Sequence, residues 1–315
     1  MLTVFNTQGG ILKTVSLTEP LKGYWLRLID PDEQEIEQAV AATGVPEKFL
    51  RFAFEEDDCP RIIRGKNCLL IIVNVPIHPA ADQYNTTPLS IILTAELNIT
   101  VSREETPVLP DSDEFGSETF NTVRRSRFVF QLLYRTSSLF LKNIHQIRQR
   151  TDETEIVLRK STDNQEVFVL LDLEKGLTYF TAALRANLMV VETLFRMRTD
   201  PQLHALLETE REEDILETVI IENKRALDLV QTYSDILSSM MDAFSSVIAN
   251  NLNHMLKFLA SITILVSVPT MISSFWSMSL NVPWQGTEVG FWLVVFIALS
   301  ASALVGVVLF RRRMF

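Results

Sequence analysis

FLASITILVSVPTMISSF, residues 258–275, is the stretch on which the fold turns. Eighteen helical residues reach about 27 Å, close to the roughly 30 Å hydrocarbon core of a bilayer. No charged side chain occurs from 258 to 287. A second run, VGFWLVVFIALSASALVGVVLF at 289–310, is more apolar still. A buried core helix is the alternative for the first run, which is rich in Ser and Thr; the second leaves little room for it. Two such runs predict a membrane hairpin. Lys257 precedes the first and Arg311, Arg312 and Arg313 follow the second, whereas the connecting WSMSLNVPWQGTE has no Lys or Arg. Positive flanks stay inside, so the expectation is a multi-pass protein of the cell membrane with both termini cytoplasmic. Trp276, Trp284 and Trp292 stand near the outer ends, where indole rings favour the interface.

The rest of the chain has the opposite character. The protein has 315 residues, 47% of them hydrophobic, and a net charge of −10. Its mean hydropathy of +0.16 is high for a chain with 22% charged residues. Residues 258–315 hold three cations and one anion, a net of +2, which leaves 26 cations and 38 anions on residues 1–257, a net of −12. No basic footprint for nucleic acid is present. Cys59, Cys68 and four scattered histidines form neither a disulfide framework nor a zinc pattern. The start, MLTVFNTQGGILKTV, lacks the basic and long apolar regions of a signal peptide, so the acidic part is expected to stay on the side of synthesis. No Gly-rich phosphate loop, HExxH or GxSxG occurs, so no enzyme and no resident cofactor is expected.

A seven-residue repeat runs into the first span: Ser246, Ala249, Asn253, Leu256, Ala260, Thr263, Ser267, Thr270, Ser274, Ser277. It has the period of a left-handed seam but carries small and hydroxylic groups instead of large apolar ones. Two readings stand side by side: close helix packing through small residues, or the lining of a water-filled path with one helix from each subunit. On the second reading Leu256 is a dewetting constriction, Asn253 a ring of amides at the cytoplasmic entrance and Asp242 a ring of carboxylates further in. Pro269, at mid-span, is expected to bend the helix. Two spans cannot enclose a pore, so transport requires an oligomer.

Before the hairpin, residues 1–115 alternate strand-like and helix-like runs. Val4–Phe5, Ile11–Val15, Tyr24–Ile29, Arg61–Arg64, Cys68–Ile77, Leu89–Thr94 and Leu97–Val101 read as strands, with LLIIVNV and LSIILT buried on both faces. Asp30 is the expected N-cap of a helix with Pro31 in its first position, ending at Thr43-Gly44. Val45-Pro46 opens a short helix through Phe54. From 116 to 257 the pattern is a long-helix stalk, with helices expected over 118–160, 165–197 and about 203–275. The last would approach 100 Å and needs partners along its length. Acidic clusters lie at Glu55-Glu56-Asp57-Asp58, at Asp111, Asp113 and Glu114, and from Glu208 to Glu222. Each reads first as a solvated face, and alternatively as a site for a divalent cation between subunits.

The segments YWLRLIDPDEQEIEQAVAATGVPEKFLRFAFEEDDCPRIIRGKNCLLIIVNVP, TPLSIILTAELNITVS and ANNLNHMLKFLASITILVSVPTMISSFWSM, with the terminal LFRRRMF, resemble the CorA family of magnesium and divalent-cation channels over most of the chain. The resemblance implies an α+β membrane protein: a cytoplasmic α/β domain, a helical stalk and two C-terminal transmembrane helices, assembled with lipid around it as a funnel-shaped homopentamer. It implies transport of magnesium or another divalent cation (cobalt, nickel or zinc), and cytoplasmic cation sites that hold the pore closed. Where the family has Gly-Met-Asn, this chain has Ser277-Met278-Ser279, keeping only Met278. Ser279 still accepts hydrogen bonds from an ion's water shell at shorter reach, and Asn281 substitutes for the missing amide if the loop folds inward. The departure leaves open a different ion, or a non-conducting, membrane-anchored regulatory homologue. Asp242 and Asn253 align with family pore-entrance positions, and Asp214, Glu217 and Glu222 lie on the helix of its regulatory acids. The family's bulky apolar gate position reads Ser267, which shifts gating toward Leu256 and Leu259.

Overall fold

Strand pairing follows from the alternation of apolar side chains. The computed structural model describes residues 1–8, 11–16, 22–54, 59–109, 121–158, 165–197, 213–277 and 287–312. Seven strands, β1 (Leu2–Gln8), β2 (Ile11–Thr14), β3 (Tyr24–Ile29), β4 (Arg61–Arg64), β5 (Cys68–Ala80), β6 (Gln83–Thr94) and β7 (Asn98–Ser102), form one sheet in the order β2-β1-β3-β7-β6-β5-β4. Only β3 and β7 pair in parallel; the other neighbours are antiparallel. In β5, Leu69, Ile71, Val73 and Val75 point to one face and Cys68, Leu70 and Ile72 to the other. Both sets are buried, as expected for a strand covered on both sides.

Two helical layers provide that cover. On one side α1 (Glu33–Thr43), α2 (Glu47–Arg51) and a 3-10 turn (Phe52–Phe54) bring Ile36, Ala39, Phe49, Leu50 and Phe52 onto Leu26, Leu70, Ile92 and Ile99. On the other, α3 (Arg125–Leu158), α4 (Gln165–Met197) and the start of α5 (Glu213–Trp276) bring Phe128, Leu132, Val190, Leu194, Leu216 and Val219 onto Trp25, Ile71 and Ile91. The result is an α/β/α sandwich. Within it α5 buries Leu216, Val219, Asn223, Ala226, Val230 and Leu237, an apolar stripe at helical spacing interrupted by one asparagine. Lys224 of α5 pairs with Glu192 of α4 at 3.2 Å. Arg148 of α3 donates to the Tyr233 hydroxyl at 3.3 Å. A final helix, α6 (Glu288–Arg311), is apolar on all sides. By its contacts the chain divides into two compact units, Met1–Ser239 and Met240–Phe315.

Several boundaries differ from the sequence reading, and four of the differences have a local reason. Helix α1 is capped by Asp32, not Asp30. Asp32 accepts from the Glu35 N–H at 2.7 Å while Glu35 accepts from the Asp32 N–H at 3.2 Å, a reciprocal capping box. Asp30 instead takes a left-handed conformation, φ 41°, before Pro31. Strands β5 and β6 run past Ile77 and back before Leu89, because Pro76 and Pro88 sit in the ladder opposite Thr86 and Asn74 and end nothing. Helix α3 begins at Arg125, after a turn at 122–124. The short helix after Pro46 tightens to 3-10 geometry at Phe52. The end of α1 is as expected: Gly44 is left-handed and its N–H closes on the Val40 carbonyl at 2.8 Å. The acidic clusters at 55–58, at 111–114 and at 208–212 lie outside the described residues.

Candidate ion pathway and its supporting hairpin

From Ser238 to Ala260, α5 has no buried residue. Met241, Phe244, Ile248, Leu252, Met255, Leu259, Ile262 and Val266 recur every three or four residues, an apolar seam that is half-buried at Met241 and Phe244 and exposed from Ile248 on. Further on, Ser261 is fully buried, and Leu265, Val268, Ile272 and Trp276 are half-buried. They stand at i, i+4, i+7, i+11 and i+15, which is one helix face. The covered residues of α6 mix small and large side chains: Gly290, Ala298 and Leu309 are buried, and Leu293, Val294, Val295, Ala301, Ser302, Val305 and Gly306 half-buried. A Cβ added at Gly306 would lie 3.5 Å from Leu265 Cδ1, an ordinary van der Waals contact. Small residues let two helix backbones approach, and here they contribute to the seam of the hairpin. Ser302 Oγ is buried in unit 2 without a hydrogen-bond partner among the described residues.

The polar stripe stands on the side of α5 roughly opposite this seam, counting 3.6 residues per turn. Asn253, Leu256, Ala260, Thr263, Ser267, Thr270, Ser274 and Ser277 are all exposed, as are Leu259 and Asp242. Within the hairpin α6 packs on Ser261, Leu265 and Ile272, not on the stripe, which stays exposed. The stripe hydroxyls share one geometry. Thr263 donates to the Leu259 carbonyl at 2.8 Å, Ser267 to Thr263 at 2.7 Å, Thr270 to Val266 at 2.9 Å, and Ser274 to Thr270 at 2.8 Å. Ser277 donates to the Ser274 carbonyl at 3.0 Å. Each hydrogen is thus spent on the helix backbone, and each oxygen keeps a lone pair for the outside. The helix continues through Pro269, which has no N–H to offer the Leu265 carbonyl.

The remaining candidates fare differently. Met278, Ser279 and Asn281 lie outside the described residues. Asp214 and Glu217 are exposed, and half-buried Glu222 pairs with Arg225 at 3.7 Å. No group of three His, Cys, Asp or Glu side chains placed to hold a metal ion occurs among the described residues of one chain. Tightness of the hairpin seam is testable. Gly306→Leu is expected to cost about 1–3 kcal/mol by overpacking against Leu265, seen as a lower melting temperature in detergent, whereas Gly306→Ala keeps the parent value. Unchanged melting of the leucine variant would show the seam to be loose.

Two helices, Asp214–Trp276 and Glu288–Arg311, are long and apolar enough to cross a membrane, and the most apolar window of each is 6% and 17% buried. A core helix of a soluble protein would be mostly covered; these are bare. An α/β/α unit joined to such a hairpin, with an acceptor-lined face on its first helix, defines a membrane protein with two C-terminal spans. The chain belongs to the CorA-like Mg2+ transporter protein family, whose model matches residues 21–312. The cobalt/magnesium transport protein CorA of Methanocaldococcus jannaschii is 25% identical over 301 residues, 91% of this chain and 90% of that protein. The complete structure of the CorA magnesium transporter from the same organism matches 99% of this chain and 98% of that one, with 21% identity and a TM-score of 0.79. The full-length CmaX structure matches 100% and 97%, with 20% identity and a TM-score of 0.68.

Proposed function

We propose that the protein is a homopentameric channel for divalent cations, magnesium first among them, in the cell membrane. In this reading residues 1–115 and 116–257 are the cytoplasmic domain and stalk, 258–315 is the membrane hairpin, and both termini are cytoplasmic. The observation that carries the reading is the exposed stripe of α5, turned away from α6 and presenting lone pairs. The apolar seam beside it, Met241 to Val266, supplies the surface on which copies meet. Family membership and the cobalt/magnesium transport named for the relative point to the same cargo. Leu256 and Leu259 are the gate, with Asp242 and Asn253 at the entrance. The test is uptake into proteoliposomes loaded with a magnesium-sensitive dye under an inside-negative potential. Flux no greater than that of empty vesicles would overturn it and favour a non-conducting regulatory role.

A second reading keeps the architecture and changes the ion. It is favoured by Ser277-Met278-Ser279 in place of Gly-Met-Asn, and its cargo is zinc, cobalt or nickel. Ser277→Gly with Ser279→Asn is then expected to raise magnesium flux relative to zinc severalfold. The same ion ratio in parent and double variant would remove this loop, Asn281 included, from the selectivity question.

Regulation rests on the net −12 of residues 1–257. Asp214, Glu217 and Glu222 bind cytoplasmic cation where copies meet and hold the pore closed. Millimolar magnesium should therefore protect the long helices from protease. Identical digestion in magnesium and in EDTA would count against it.

A further inference from the structure

Pro269 opens the hydrogen-bond ladder of α5 inside the first span. It has no N–H, so the Leu265 carbonyl loses the donor of its regular helix bond. The nearby hydroxyls of α5 do not replace it. Ser261 donates to the Lys257 carbonyl, Thr263 to Leu259, Ser267 to Thr263, Thr270 to Val266 and Ser274 to Thr270. Leu265, Val268, Pro269 and Ile272 are all half-buried, so the break lies on the covered side of α5 and not on the exposed stripe.

On α6, which covers that side, one hydroxyl is unused. Ser302 Oγ is buried and has no hydrogen-bond partner among the described residues, not even the Ala298 carbonyl one turn before it. The stripe hydroxyls of α5, by contrast, spend their hydrogens on their own helix in that way. Leu265 meets Gly306 across the seam. One turn toward the connection of the hairpin leads from Gly306 to Ser302 on α6 and from Leu265 to Pro269 on α5, about 6 Å along each axis. The unused hydroxyl and the open carbonyl therefore stand at one level of the hairpin.

Hydrocarbon offers neither group a partner, and a proline break in a span is tolerated where a hydroxyl or an ordered water satisfies the freed carbonyl again. Ser302 does not reach the carbonyl directly. A polar pair beyond direct reach is joined by water, which donates to a carbonyl while accepting from a hydroxyl.

We propose that one buried water is bound between α5 and α6, donating to the Leu265 carbonyl and accepting from the Ser302 hydroxyl. Through it α6 holds α5 in position at the proline. The test is a double-mutant cycle in the full chain, read as melting temperature in detergent. Ser302→Ala should lower the melting temperature by about 2–4 °C, because the water loses one of its two partners. In a Pro269→Ala background the restored N–H closes on Leu265, so the same substitution should shift melting by about 1 °C or less. Equal shifts in both backgrounds, or no shift in the parent, overturn the proposal. A cryo-EM map of the parent that resolves ordered water is the second measurement, and it stands even where Pro269→Ala fails to assemble. It should show one peak within hydrogen-bond distance of both oxygens. A map with no such water, its Ser302 hydroxyl turned to Ala298 or bonded straight to Leu265, overturns the proposal as well. None of these outcomes bears on whether the pathway conducts.

Discussion

Ser267→Arg is expected to bring cation uptake into proteoliposomes down to the level of empty vesicles. Ser267 is exposed at the middle of the polar stripe, on the face turned away from α6. In the proposed assembly one substitution places a cation from every copy at the same depth. A divalent ion about 6 Å from one such charge, at an effective dielectric near 20, meets a barrier of about 5 kcal/mol, and each further copy adds to it. Since about 1.4 kcal/mol is tenfold in rate, the loss exceeds roughly a thousandfold. Ser267→Ala removes a single acceptor and keeps the surface, so its flux should stay within about tenfold of the parent. Elution as the parent oligomer and unchanged thermal melting of the α/β/α unit guard against misfolding. Parental uptake by the arginine variant would take Ser267 out of the pathway.

The second large effect lies in the sheet. Trp25→Ala should destabilise the α/β/α unit by about 3–5 kcal/mol, measured as a lower urea midpoint. Trp25 is fully buried between layers, stacked on Phe5 at 4.9 Å and tilted against Phe128 at 5.1 Å. Its Nε1–H donates to the Thr100 hydroxyl at 2.9 Å on the parallel neighbour β7. The alanine therefore opens a cavity and also strips the buried Thr100 of its donor, a further loss of about 1 kcal/mol or more. Domain stabilities of about 5–15 kcal/mol make this a large share of the total. Trp25→Phe, which keeps a ring and loses only the N–H, should fall between. A shift below about 1 kcal/mol for the alanine would show that Trp25 is not a keystone of the core.

The strands and long helices were legible because their period matches their environment. LLIIVNV reads as a doubly covered strand and proves to be one, with α1 and α2 on one side and α3 and α4 on the other. The spans were legible by length and lack of charge, which need no tertiary information. The N-cap of α1 was missed because Asp30 and Asp32 are equally good caps taken singly; the Glu35 that completes the box for Asp32 decides between them. The strand extensions were missed because 78–80 and 83–88 are polar or proline-containing and carry no run of apolar side chains, although proline tolerates a ladder position whose N–H has no partner to meet. The α6 side of the hairpin seam was hidden for a different reason. Helix α6 is apolar all round, so periodicity marks no face, and the spacing of Ala298, Ser302 and Gly306 was the only available sign.

The inward-turned hydroxyls of α5 have a consequence for solvent. Water standing against a surface of lone pairs turns its hydrogens to the wall and its oxygens away from it. In the proposed assembly those oxygens face the axis, already arranged as the outer hydration shell of a cation before any ion arrives. An anion entering the same column would have to turn every water molecule round, against a wall whose own hydrogens are held by backbone carbonyls at 2.7–2.9 Å from Thr263 to Ser274. In that assembly the standing polarisation of the water column would set the sign of the permeant charge, with no charged side chain from Ser246 to Ser277 on the stripe.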